Sequence, residues 1–135
     1  MVPNITGLHH VSLPAAEVVR SSDWYERVLG FVPILMEEDE DTVTMIVLEH
    51  QCRVLLYLRL APGPIPAVST AGGAAVSFLV DTRDDLIAWQ LRLAELGSEH
   101  SGPHDAHLGW ALDMTGPDGL RIQLHTREEL SADGG

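Results

Sequence analysis

The sequence predicts an α+β fold in which a strand, a helix and three further strands occur twice in succession. Three observations predict it. Short runs such as "GLHHVSL" and "RIQLHT" alternate or are rich in β-formers, while two longer segments carry helical apolar stripes. Both helical segments contain a tryptophan and close on leucine-glycine. The two halves also echo each other: "HVSL" precedes the first helix as "AVSF" precedes the second, and "RVLLYL" sits where "RIQLHT" sits later. Each helix would cover one face of its own sheet and leave the other face free.

Taken in order, the first strand is expected from about Gly7 to Leu13. A helix follows and ends "DWYERVLG", with Tyr25, Val28 and Leu29 on one face and Gly30 as its C-terminal stop. Three strand-like runs come next, "FVPILME", "TVTMIVLE" and "CRVLLYLRL". The acidic run "EEDED" between the first two lacks the glycine and spacing of a calcium loop, so it reads as a solvated hairpin tip. "APGPIPAVSTAGG" has no periodicity and reads as a surface connection. The plan then restarts with the strand "AAVSFLV". Thr82 is a suitable N-cap for "RDDLIAWQLRLAELG", in which Leu86, Trp89, Leu93 and Leu96 form the apolar stripe and Gly97 the stop. "HLGWALDM" and "LRIQLHT" follow, joined by the "TGPDG" turn. The resulting partition is a single domain over 1–135. It holds a first module at 7–60, a linker at 61–73, a second module at 74–126 and a flexible tail at 127–135.

The bulk properties exclude several classes. A chain of 135 residues supports one core but not two. A net charge of -12 and the absence of any Lys/Arg cluster argue against nucleic acid and anionic membrane surfaces. The single cysteine, Cys52, has no internal disulfide partner and is expected to be a core thiol within its apolar run. No signal-peptide pattern opens "MVPNITGLHH" and no run is long enough for a membrane span, so the expected location is cytoplasmic. The serines form no nucleophile elbow, and "AGGAA" lacks the lysine of a phosphate loop. His100, His104 and His107 fall in "SGPHDAH", whose glycine and proline forbid a ligand-bearing helix, so they are expected on a loop.

The series "GLHHVSL", "DWYERVLGF", "AVSFLV" and "GPDGLRIQLH" resembles the vicinal oxygen chelate superfamily: glyoxalase I, extradiol dioxygenases, fosfomycin-resistance transferases and bleomycin-resistance proteins. The resemblance covers nearly the whole chain. It implies two βαβββ modules whose mixed sheets curl around an open cavity, with helices outside, and a short chain that dimerises. It also implies where metal ligands would stand. The first falls on His10, directly before "VSL". The second, normally a histidine, falls on Ala75, and the third, usually a glutamate, falls on Gln123. One position matches, one has become a methyl group, and one has lost its charge. Catalytic zinc normally takes three protein ligands, and hard cations favour a carboxylate. The expected state is therefore metal-free, the alternative being one divalent ion such as Zn, Fe, Mn or Ni. His9 should point away from the cavity if His10 points inward, and His125, two residues from Gln123, is a substitute donor.

Strand alternation anchored on those positions predicts the cavity lining. It comprises Leu8, His10 and Ser12; Leu55 and Tyr57; Ala75, Ser77 and Leu79; Arg121, Gln123 and His125; and Trp110, Leu112 and Met114, with His107 reaching in from its loop. Val76, Phe78, Val80, Ile122 and Leu124 should pack beneath the helices. Flat rings would stack on Trp110 or Tyr57. With no catalytic residue assigned, the reading is a homodimeric, metal-free protein that sequesters a hydrophobic or aromatic natural product or antibiotic, as in the bleomycin-resistance branch. Its alternatives are enzymes: a metal-dependent glyoxalase-type lyase or dioxygenase using His10 and Gln123, or a metal-free natural-product tailoring enzyme.

Overall fold

A computed structural model describes residues 1–65 and 73–127 and divides the chain into two compact units, Met1–Ile65 and Pro66–Gly135. Most of the expected linker, and the tail beyond Arg127, lie outside the described residues. The first unit runs β1 (Val11–Ala15), α1 (Val18–Leu29), β2 (Val32–Asp39), β3 (Thr42–Glu49) and β4 (Leu55–Leu60). The second runs β5 (Val76–Val80), α2 (Arg83–Glu95), β6 (His104–Ala106), β7 (Gly109–Thr115) and β8 (Arg121–Thr126), with a 3-10 turn at Pro117–Gly119. The sheet orders are β1-β4-β3-β2 and β5-β8-β7-β6. In each, the first strand pairs parallel with the last and the remaining pairs are antiparallel. The same βαβββ topology thus occurs twice, as the echo between the halves predicts.

Local chemistry accounts for the boundaries. Tyr25, Val28 and Leu29 are buried on α1, and Gly30 ends it at φ 82, the left-handed region that glycine enters without penalty. Thr82 caps α2 in a reciprocal capping box with Asp85. The acidic run closes the β2–β3 hairpin: Glu40 and Asp41 both have positive φ, as a two-residue type I′ turn requires.

Three expectations are corrected. β1 begins at Val11, not Gly7, because its parallel partner β4 begins only at Leu55; Leu8 therefore precedes the strand and is 74% exposed. Cys52 is exposed rather than buried, since it lies in the turn before β4, where Arg53 adopts φ 76. The "SGPHDAH" stretch contributes the short strand β6, which carries His104 and pairs antiparallel with β7 through a turn at His107 and Leu108.

The helix-facing sides form the cores. In the first unit Leu13, Ala15, Ile46, Leu48, Leu56 and Leu58 are buried with the apolar face of α1. In the second, Leu112, Met114, Ile122 and Leu124 are buried with Leu86 and Leu93 of α2. Val76, Phe78 and Val80 share that side, in register with Ile122, Leu124 and Thr126, but are only half-buried because β5 is an edge strand.

Candidate functional site

In each unit the sheet face turned away from the helix carries the groups capable of recognition. On the first unit, register places Leu35, Val47, Tyr57 and Ser12 in one row across the sheet. The imidazole of His10 stacks on the Tyr57 ring with centroids 4.0 Å apart and planes at 22°. The Arg59 guanidinium lies 5.3 Å from the Tyr57 centroid and donates from Nε to Ser12 Oγ at 3.1 Å. His9 does not point away. Because the strand has not yet begun, strand alternation does not apply to it, and its Nδ1 lies 2.8 Å from His10 Nδ1 with its ring edge toward Tyr57. Leu55, also expected in the lining, is half-buried two residues before Tyr57 on the same side.

On the second unit the open face carries a hydrogen-bonded row. Ser77 Oγ donates to Gln123 Oε1 at 3.0 Å, and Gln123 Nε2 donates to Asp113 Oδ1 at 3.1 Å. The second Asp113 oxygen lies 3.7 Å from His104 Nε2. Strand register explains the row, since Ser77 pairs with Gln123 and Gln123 with Asp113. The carboxylate decides the polarity of the whole chain. It can only accept, so the Gln123 amide must turn its nitrogen to Asp113 and its oxygen to Ser77. This is why an uncharged amide suits position 123: a glutamate would face another carboxylate.

Asp113 was not anticipated, although a signal was available, because in "WALDM" it is the polar residue between Leu112 and Met114. Its position reverses the expected face of β7. Leu112 is 0% and Met114 2% exposed, both on the helix side opposite Leu124 and Ile122. Trp110 shares their parity and lies under the Arg83 guanidinium, 4.2 Å from its ring centroid, at the start of α2. These three residues therefore do not line the open face.

The remaining expected residues are placed as follows. Ala75 lies just before β5 and donates its backbone N–H to the Arg121 carbonyl at 2.8 Å. Arg121 and His125 are half-buried on the open face to either side of Gln123. His107 is exposed at the β6–β7 turn and, with His104, borders an open recess of about 570 Å³. A second groove of about 280 Å³ is lined by Ser77, Phe78, Leu79, Leu108, His125 and Thr126.

The donor set does not fit the metal that the fold implies. Within either unit, among the described residues, no three His, Cys, Asp or Glu side chains converge as ligands. Ala75 offers no donor atom, and the Gln123 oxygen already accepts from Ser77.

Tandem βαβββ modules with an open sheet face on each define the vicinal oxygen chelate class. The chain belongs to the Glyoxalase/Bleomycin resistance protein/Dioxygenase superfamily, whose family model matches residues 7–124. No curated protein matches it. Among solved structures, a glyoxylase/bleomycin resistance protein/dioxygenase domain from Frankia sp. EAN1pec is 22% identical with a TM-score of 0.77, over 93% of this chain and 95% of that one. The genomically encoded fosfomycin resistance protein FosX from Listeria monocytogenes is 13% identical with a TM-score of 0.70, over 91% and 94%. TnmS3, an antibiotic binding protein from Streptomyces sp. CB03234, is 21% identical with a TM-score of 0.66, over 93% and 99%. At these identities the likeness establishes the fold. Among the described residues no helix is long and apolar enough to cross a membrane.

Proposed function

We propose that this protein binds a small organic molecule without a resident metal and acts by sequestering it, the ligand being a partly apolar, ring-bearing natural product or antibiotic. The observation that carries this reading is the state of the expected ligand positions. Ala75 is a methyl group, and the Gln123 amide is committed at both ends, to Ser77 and to Asp113. Sequestration requires shape and affinity but no reactive group. The open faces supply suitable surfaces. On the first unit Leu35 and Tyr57 flank the buried Val47 in an apolar, aromatic row, and on the second Leu79 and Leu108 stand beside polar groups. TnmS3, an antibiotic binding protein of the same fold, is compatible with this reading. We propose further that the protein works as a homodimer, as superfamily members often do, and that it resides in the cytoplasm.

Elemental analysis of protein purified without chelator tests the metal-free reading. Less than about a tenth of an equivalent of Zn, Fe, Mn or Ni is expected, because two neutral donors hold such ions weakly. Near-stoichiometric metal would instead favour the lyase or dioxygenase alternative built on His10 and Gln123. For a ligand seated on the first unit's open face, Tyr57→Ala should weaken binding more than Trp110→Ala, since Trp110 lies on the helix side of the second unit's sheet.

A further inference from the structure

The groove beside β5 and β8 carries an inference about what its ligand must present. It is an open groove of about 280 Å³ lined by Ser77, Phe78, Leu79, Leu108, His125 and Thr126, room for a bicyclic ring or one end of a larger molecule. Leu79 and Leu108 are 54% and 57% exposed, large apolar side chains with little packed against them.

Its polar side chains can be assigned one by one. The Asp113 carboxylate forces the Gln123 oxygen toward Ser77, so the Ser77 hydroxyl must donate to Gln123 and keeps only lone pairs for a ligand. His125 Nδ1 lies 2.6 Å from the Thr126 carbonyl oxygen, which can only accept, so the proton sits on Nδ1. Nε2 of the neutral ring is then an acceptor, and it has no partner among the described residues. The Thr126 hydroxyl is already committed, accepting from the Trp110 N–H and donating to the Arg127 carbonyl. Two side-chain acceptors therefore border the groove, and no side-chain donor faces them.

We propose that this groove selects an apolar, ring-bearing molecule carrying an N–H or O–H donor, received by Ser77 Oγ and His125 Nε2. The proposal rests on the small-molecule reading above and adds the chemistry of the ligand's polar end. Acceptors bordering an open groove favour a ligand with a donor, because a ligand without one covers them and displaces their water without replacing its hydrogen bonds.

Three probes of nearly equal shape test it: indole, which has an N–H, and benzofuran and 1-methylindole, which have none. The isotope-labelled full chain is titrated with each, following the backbone amides of Leu79, Leu108 and His125 by NMR. Indole is expected to bind about tenfold more tightly than benzofuran or 1-methylindole, the scale of one net hydrogen bond. His125→Phe and Ser77→Ala should each reduce that preference, and Leu108→Ala should weaken all three probes alike. If the probes bind equally, or if the preference survives in the His125→Phe/Ser77→Ala double variant, donor selection is wrong although the groove remains a ligand site. If no probe shifts these amides at millimolar concentration, the groove itself is not the site. Neither outcome bears on metal content, which tests the functional reading separately.

Discussion

Replacing Gln123 by glutamate restores the residue type that a metal site of this fold would use, and the structure indicates that the change is harmful. The glutamate carboxylate would stand where the amide nitrogen now lies 3.1 Å from Asp113 Oδ1, so a hydrogen bond becomes a like-charge contact. Asp113 retains 29% side-chain exposure, which places the pair between bulk water and the protein interior. At an effective dielectric constant of about 40–80, two charges at that separation repel by roughly 1–3 kcal/mol, before side-chain relaxation. The lost hydrogen bond adds about 1 kcal/mol. The measurement is urea unfolding of the parent and Gln123→Glu near pH 7 and again at about pH 4. The repulsion raises one carboxyl pKa in the folded state above its unfolded value. Such a group costs stability above its folded pKa and costs none below its unfolded one. The deficit of the variant relative to the parent should therefore shrink as the pH falls. A variant as stable as the parent near pH 7, or a deficit that grows on acidification, would refute the assigned row.

Other consequences follow from the same geometry. Leu112→Ala should cost about 3 kcal/mol by thermal or urea unfolding, because a fully buried leucine leaves a cavity, whereas Leu79→Ala on the open face should cost under about 1 kcal/mol. Gly109→Ala should destabilise by about 2 kcal/mol or more: φ is 134, and an added Cβ would meet Thr126 Oγ1 at 2.5 Å and the Arg127 carbonyl oxygen at 2.7 Å. Its purified yield and urea midpoint report this directly. Thr82→Ala removes the α2 capping box and should cost about 1 kcal/mol, visible as a lower unfolding midpoint with unchanged far-ultraviolet dichroism.

The legible part of the fold was that encoded locally. Gly30 and Gly97 mark helix ends, Thr82 marks a helix start, and the acidic run marks a hairpin tip, because each depends on residues only a few positions apart. The repeat of HVSL as AVSF was visible for the same reason, and it carried the doubled topology. Within β8 the alternation of Ile122 and Leu124 against Gln123 and His125 was also legible, since side-chain direction in a strand has a period of two. Boundaries were less so. The alternation of "GLHHVSL" continues past the point where β4 can offer a partner, and His9 and His10 both turn onto Tyr57.

Composition and alternation by themselves determined a doubled α+β plan and the helix-facing set on β8, whereas the significance of Ala75 and Gln123 came only from the family resemblance. Only the tertiary structure decided that Asp113 rather than Trp110 stands beside Gln123, and hence which end of that amide is oxygen and which groups remain to accept a hydrogen bond. The reason is physical: a strand's period orders its own side chains, but shifting its pairing by one residue exchanges both faces. The register that fixes the choice is set by backbone bonds between segments far apart in the chain.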